Sequence, residues 1–315
     1  MWQEEQQNMA AAGANAAKIE KLIAHANECV ARYDIEAAIK FYEKAVQLEP
    51  LDTNLLDAAG ELCIEVGRSA DAIDLFGRSI QLKPDENSCK YMNLGQLMAG
   101  HECLAHFNKG MELMYRELAE AAQKEDAEGH AKLQGRICHG YCSMTELYMT
   151  DLCDEEGAEQ KCEEFLTKAQ GHKDDSPELW VQWANLRLCQ CRPDDARKFT
   201  YKAVSLSNKV EEGHPNKPSL EVRTGMMKLL IELEQLDEAE EFGNGLLEVD
   251  DQYLETWYLL ALIHFNRQDY SNAHQCTASA LRILEAEGVE DEEQASKIQE
   301  LHEEIEKNGG GEEMQ

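Results

Sequence analysis

The chain has 315 residues, with 62 acidic against 30 basic side chains, a formal net charge of −32, 43% apolar content and only 7% aromatic content. A mean hydropathy of −0.56, with no uninterrupted apolar run near the roughly 18 residues a membrane helix needs, excludes a helical membrane protein. So large an excess of carboxylates repels phosphate backbones and anionic lipid, which excludes nucleic acid and membrane as direct partners and points to a cationic one. At the N-terminus, Met1-Trp2-Gln3-Glu4-Glu5 carries acid where a secretory leader carries basic residues and an apolar stretch, so the protein is expected inside the cell. Residues 1–16, rich in Gln, Ala and Glu without a sustained apolar face, are expected to be flexible.

A repeat follows. Ala38-Ile39-Lys40-Phe41-Tyr42-Glu43-Lys44-Ala45, closing at Pro50, recurs 34 residues on as Ala72-Ile73-Asp74-Leu75-Phe76-Gly77-Arg78-Ser79, closing at Pro84. Gly60 lies twelve residues before Ala72, where paired helices need a small residue to approach closely. Thirty-four residues is the period of the tetratricopeptide repeat, a helix pair that stacks on its neighbours. The small residue of each second helix continues as Ala38, Ala72, Cys103, Cys162, Ala196, Ala239 and Ala273, with spacings of 34, 31, 59, 34, 43 and 34. The third repeat is shortened by about one turn between Leu94-Gly95 and Phe107, which leaves its buried face in phase. The long interval carries extra residues from Met111 to Lys132, read as extended helices around a break near Gly129. A second insertion, from Asn208 to Pro218, reads as a surface loop from Gly213, Pro215 and Pro218. Beyond the seventh repeat, Ile298, Leu301 and Ile305 make the narrow apolar stripe of a closing helix. The expected fold is all-α: a right-handed superhelical solenoid of about seven repeats over residues 17–288, a capping helix over 289–307, and a disordered acidic tail over 308–315.

Eleven cysteines, odd in number and without a Cys-x-x-Cys pair, argue against a disulfide framework. Cys138 and Cys142, or Cys189 and Cys191, offer only weak metal spacing, so the thiols are read as small buried hydrophobes and no metal site is assigned. No His-Glu-x-x-His, phosphate loop or Gly-x-Ser-x-Gly is present, and no catalytic residue or cofactor is expected; the protein reads as a non-enzyme.

A repeat array of this kind works by binding, its first helices lining a groove for an extended peptide or a helix. The register puts Asp57, Glu61 and Glu65 on one face of the second repeat's first helix, at i, i+4 and i+8. Each like-charged pair costs roughly 0.2–0.5 kcal/mol of helix stability, a cost that a basic ligand lying across the stripe would relieve. Asp151, Asp154 and Glu155 are assigned similarly in the fourth repeat, and Glu221, Glu232 and Glu255 in later ones. Tyr258 and Phe265 are candidates to stack on Arg or Lys, whereas Trp180, Trp183 and Trp257 stand at positions that pack between helices. Reversing Asp57, Glu61 and Glu65 to Lys is expected to abolish capture of a basic ligand with helicity intact. A merely solvated acidic face is the plain alternative. The carboxylate clamp of heat-shock co-chaperones does not fit: Asn27 and Asn185 stand at the asparagine position, but Ile23 and Val181 replace the partner lysines. Residues 285–315 carry a net charge of −10, which adds long-range attraction for a cation.

In the fourth repeat, Tyr148-Met149-Thr150-Asp151-Leu152-Cys153, followed by Ala158-Glu159 and Cys162-Glu163, resembles a eukaryotic family of acidic tetratricopeptide proteins, the dedicated assembly chaperones of large-subunit ribosomal protein four. The repeats ending in Leu-Glu-Pro and Leu-Lys-Pro, the irregular middle and the acidic C-terminus are similar too, so the resemblance spans nearly the whole chain. It implies a protein of cytoplasm and nucleus that captures the long basic internal extension of newly made ribosomal protein four, keeps it soluble and delivers it to the nuclear pre-ribosome. A nuclear import receptor is a candidate further partner. Asp151 and its neighbours match the family motif, whereas the groove acids come from repeat register alone. The competing reading is a general scaffold that joins subunits of a multiprotein complex through apolar surfaces, and the two differ in their response to salt.

Overall fold

Seven helix pairs and one closing helix make up the regular structure of the described residues. The computed structural model describes the backbone of residues 2–214, 216–287 and 292–309, with fifteen α-helices and no strand among the described residues. They are α1 (Trp2–Val30), α2 (Ile35–Leu48), α3 (Thr53–Glu65), α4 (Ser69–Leu82), α5 (Ser88–Gln96), α6 (Gly100–Gln123), α7 (Ala127–Met149), α8 (Ala158–His172), α9 (Pro177–Cys189), α10 (Pro193–Asn208), α11 (Leu220–Glu232), α12 (Leu236–Leu247), α13 (Leu254–Asn266), α14 (Tyr270–Glu287) and α15 (Glu292–Lys307). The seven small residues of the repeat register fall one on each even-numbered helix, and all are at most 4% exposed. A short or thiol side chain at each crossing lets the partner helix approach closely, so an all-α tetratricopeptide architecture follows directly from that spacing. No helix among the described residues is long and apolar enough to cross a membrane.

The chain divides into two compact units, Met1–Lys161 and Cys162–Gln315. In the first, Ala26, Ala38, Ile39, Leu62, Cys63, Ala72, Phe76 and Leu94 form one core cluster. The tip of the Phe76 ring lies against Gly60: a Cβ added to that glycine would sit 2.8 Å from the ring's Cζ. The next repeat reuses the device, with Phe107 2.6 Å from the place a Gly95 Cβ would take.

Lys90, 34 residues after the core residue Leu56, is itself fully buried. Its ammonium donates to the carbonyls of Lys83 (2.6 Å) and Ser79 (3.3 Å) and to the Ser79 hydroxyl (3.3 Å), so it caps the C-terminal end of α4. Burial pushes its pKa below the usual lysine range, while the Asp57 carboxylate acts in the opposite sense. Lys90→Met keeps the volume and removes the donors. It is expected to lower stability by about 1–3 kcal/mol in urea unfolding, the cost of leaving buried acceptors unpaired.

Three departures from the expected outline have local causes. Helical backbone begins at Trp2, within the stretch expected to be flexible, because Ala, Gln and Glu are strong helix formers even without an apolar face; the first buried side chain described is Ile19. The break in the long insertion lies at residues 124–126 rather than near Gly129. Glu125 takes a positive φ of 56° and Asp126 caps α7 by accepting from the Gly129 amide at 2.9 Å, so an N-cap carboxylate outweighs the glycine. Among the thiols, Cys63, Cys103, Cys138, Cys142, Cys162 and Cys276 are buried, but Cys153, Cys189 and Cys191 are exposed because they fall at helix ends and turns.

In the second unit the Asn208-to-Pro218 insertion is a loop, with Pro215 outside the described residues. Lys217 anchors it, donating to the carbonyls of Ser207 (3.3 Å) and Val210 (2.9 Å). The α15 stripe is buried: Ile298 and Ile305 are fully covered and Leu301 nearly so, against Ala280 and Leu284 of α14 and the core around Leu260 and Ile263. The expected disordered tail lies outside the described residues from residue 310 on.

Candidate functional site

A cleft of about 790 Å3 opens in the second unit between α11, α13 and α15. Its lining includes Glu221, Glu232, Glu255 and Tyr258, so the four sequence-assigned residues of this unit converge on one concavity. The reason is register. α11 and α13 are first helices of successive repeats, and their exposed faces run side by side where a tetratricopeptide groove is built. Thr224, Gly225, Ile231, Leu259 and Leu262 supply an apolar floor, and Tyr253 and Tyr258 add two phenols. Burial raises the Tyr253 pKa, partly offset by a hydrogen bond with Thr224, and the carboxylates of Glu221 and Glu255 add to the rise. The Tyr253 phenol therefore stays neutral near pH 7, and both rings offer their faces to a cation.

The cleft is less purely acidic than repeat register suggested, because Lys228 and Lys297 line it as well. Lys228 pairs with Glu255 at 2.8 Å, Gln294 donates to the same carboxylate at 2.9 Å, and Lys297 pairs with Glu293 at 2.7 Å. No ion pair reaches Glu221 or Glu232 among the described residues. Four carboxylates against two ammonium groups leave the lining negative. Lys228 could have been found in the sequence: it lies seven residues after Glu221 and four before Glu232, on the same helical face. Lys297 and Gln294 could not, because only the docking of α15 brings them to the cleft.

The first-unit stripe behaves differently. Asp57 is 5% exposed and accepts from the Asn87 amide at 2.7 Å, while Glu61 and Glu65 are exposed on the following turns of α3. Although its side chain reaches solvent, partial desolvation beside α3's neighbours pushes the Glu61 pKa up first, the Asp57 carboxylate raises it further, Arg136 pulls it down, and Glu65 adds to the rise. Beside them Glu117 accepts from the backbone amide (2.9 Å) and hydroxyl (2.7 Å) of Ser88, and Arg136 donates to that hydroxyl at 2.8 Å. Asp57 thus belongs to the polar packing that seats α5. Reversing it to Lys would disturb the fold as well as any binding, so the triple reversal expected from the sequence is not a clean probe. Lys90 at a core register was the available signal of this network; Arg136 and Glu117 carried none.

Asp151, Asp154 and Glu155 do not lie on the groove side of a first helix. They occupy the turn after α7, and all three are exposed. Asp151 accepts from the Gly100 amide at 2.8 Å, which caps the start of α6, and Glu155 reaches His101 at 3.1 Å. α7 ends at Met149 and α8 starts at Ala158, with Gly157 at a positive φ of 80° in the turn just before α8. Leu152, within the same motif, is buried.

Among the aromatics, Trp180 and Trp183 are buried and Trp257 half-buried, as expected of packing residues. Trp180 donates to the carbonyl of Asp174 and Trp257 to that of Asp251, each at 2.7 Å and each six residues back, a second trace of the repeat. Phe265 packs on the core and on Tyr270 at 5.8 Å between centroids rather than in the cleft, because it falls on the inner face of α13.

No family model matches the chain. It is 30% identical over 297 residues, 87% of each chain, to the probable assembly chaperone of rpl4 of Schizosaccharomyces pombe. It is 26% identical over 253 residues, 76% of this chain and 62% of the other, to the probable assembly chaperone of rpl4 of Emericella nidulans. Among solved structures, the assembly chaperone of RpL4 (Acl4, residues 1–338) matches with a TM-score of 0.69 and 25% identity over 80% of this chain and 97% of that one. A tetratricopeptide repeat protein from Parabacteroides merdae matches in fold, with a TM-score of 0.55 at 16% identity over 92% of this chain and 99% of that one. The fungal likeness runs over 87% of both chains, on a backbone shared with Acl4, and by it this chain belongs to the family of rpl4 assembly chaperones.

Proposed function

We propose that the protein is an assembly chaperone for large-subunit ribosomal protein four, a non-enzymatic carrier that binds the basic internal extension of the newly made client. The observation that carries this reading is the likeness to the Schizosaccharomyces pombe relative over 87% of both chains. The cleft of α11, α13 and α15 supports the mode of capture, since it combines Glu221 and Glu232, which have no ion pair among the described residues, with ring faces and an apolar floor. An extension rich in Lys and Arg lays its aliphatic stems on Leu259 and Leu262 and its charged heads against the carboxylates. The internal pairs of Lys228 and Lys297 exchange for client cations at little net cost, because partly exposed ion pairs are individually weak. Within the first unit, Glu61 and Glu65 offer a separate acidic surface to a basic client.

Client shielding accords with a net charge of −32. Free, the extension would pair with stray polyanions; held among carboxylates, it waits for a denser array of anions. Ribosomal RNA is that array, so release proceeds by competition in the nucleus and requires no nucleotide hydrolysis. The protein then works in cytoplasm and nucleus, with an import receptor as a second partner.

Binding of purified ribosomal protein four to the full chain, followed by calorimetry at rising salt, tests this. Affinity is expected to fall at least 10-fold between 50 and 300 mM salt, as screening shortens to below about 10 Å. A salt-independent affinity would overturn electrostatic capture in favour of an apolar scaffold interface. No binding at any salt would overturn the assignment of the client.

A further inference from the structure

Away from the cleft, the seam between α14 and α15 brings together two imidazoles and a carboxylate: His274, His302 and Glu306, whose ligand atoms all lie within 4.8 Å of one another. Glu306 Oε1 is 3.6 Å from His302 Nε2 and 4.0 Å from His274 Nε2. Donor atoms of a tetrahedral zinc ion, with bonds of about 2.0–2.1 Å, stand about 3.3 Å apart, so small side-chain rotations bring the three to bonding geometry. His302 and Glu306 are four residues apart on one face of α15, and His274 comes from the facing turn of α14.

A hydrogen bond behind the cluster sets the imidazole for ligation. The Thr277 hydroxyl has one proton, and it lies 3.2 and 3.1 Å from the carbonyls of Ala273 and His274, to which it donates. In the tautomer that carries its proton on Nδ1, the 2.7 Å contact of His302 with this hydroxyl runs the other way, with Nδ1–H donating. That places the lone pair of His302 on Nε2, the atom that faces Glu306. A ligating histidine is oriented in this manner by a polar group behind it. The imidazoles are mostly covered, whereas Glu306 is half exposed, which leaves an open side for metal entry and for a water as fourth ligand.

We propose that His274, His302 and Glu306 bind one zinc ion, which ties the closing helix α15 to α14. The apolar stripe of Ile298, Leu301 and Ile305 seats that helix, and the ion fixes its C-terminal end. The proposal is independent of where a client binds.

Full-length protein stripped with a chelator and titrated with zinc alone is the test. One zinc per chain is expected beyond what a His274→Ala/His302→Ala variant retains after dialysis, with the thermal midpoint raised by roughly 3–6 °C in the wild type only. Thr277→Val, with all three ligands in place, should weaken zinc about 10-fold or more. Should the double variant fail to fold, Glu306→Gln at its exposed position replaces it, with a similar loss of affinity expected. Equal zinc content in wild type and variants, or no zinc retained by the wild type, overturns the site.

Discussion

Replacing Glu221, Glu232 and Glu255 together by Lys is expected to weaken capture of ribosomal protein four by about 100-fold or more, with helix content unchanged. The three carboxylates line one cleft, two of them without an ion pair among the described residues and the third held by Lys228 and Gln294. An exposed charge contact contributes about 0.2–1 kcal/mol, and reversal replaces that attraction with a repulsion of similar size, so three sites sum to roughly 3 kcal/mol, or two orders of magnitude. Reversal should also flatten or invert the dependence on salt, which a merely misfolded variant would not do. The corresponding Gln substitutions remove attraction without adding repulsion and should fall between, near a 10-fold loss. Calorimetry with the wild-type client reads all of these. Undiminished affinity in the triple Lys variant would place the client elsewhere, with Glu61 and Glu65 of α3 next in line.

Phe76→Ala should cost about 3–5 kcal/mol, the largest effect of any single truncation in the first unit. The ring is fully buried, belongs to the core cluster that joins α2, α3 and α4, and fills the space that Gly60 leaves open. Gly60→Ala presses on the same contact from the other side. Its Cβ would lie 2.8 to 3.0 Å from three ring atoms, an overlap costing about 1–3 kcal/mol, of which helix propensity returns up to about 1. The two changes are therefore coupled. In the double variant Gly60→Leu/Phe76→Ala the added side chain refills the void, so the pair should be less damaging than the sum of Gly60→Leu and Phe76→Ala, each made alone. Urea unfolding of the four proteins tests this, and strict additivity would mean that the glycine and the ring do not share one packing site.

Much of the architecture was legible before any coordinates. A small residue recurring at the 34-residue period, or at that period lengthened or shortened by an insertion or deletion, has one physical meaning, a helix crossing, and all seven such residues are buried on second helices. The α15 stripe was equally plain, since three apolar residues on an otherwise charged helix have only one face to bury. Boundaries were less legible. At residues 124–126 two signals competed, a glycine and an N-cap aspartate, and the cap prevailed because it satisfies helix amides that glycine leaves open. The turn holding Asp151 was missed because a run of carboxylates reads alike on a helix face and in a loop. Charge marks exposure, and exposure is common to both.

The candidate site divides along the same line. Glu221, Glu232, Glu255 and Tyr258 could be assigned from register because residues on one helical face keep their phase from repeat to repeat. Asp57 was assigned by the same logic yet is buried against Asn87, since register gives a direction but not the depth of what packs there. Repeat period, charge and the small-residue crossings were determined by the sequence alone, being properties of local spacing. The ammonium groups inside the cleft, the buried Lys90 and the meeting of His274 with His302 and Glu306 were decided only by tertiary packing, because each depends on which turns of separate helices come within a few ångströms, a distance no single helix encodes.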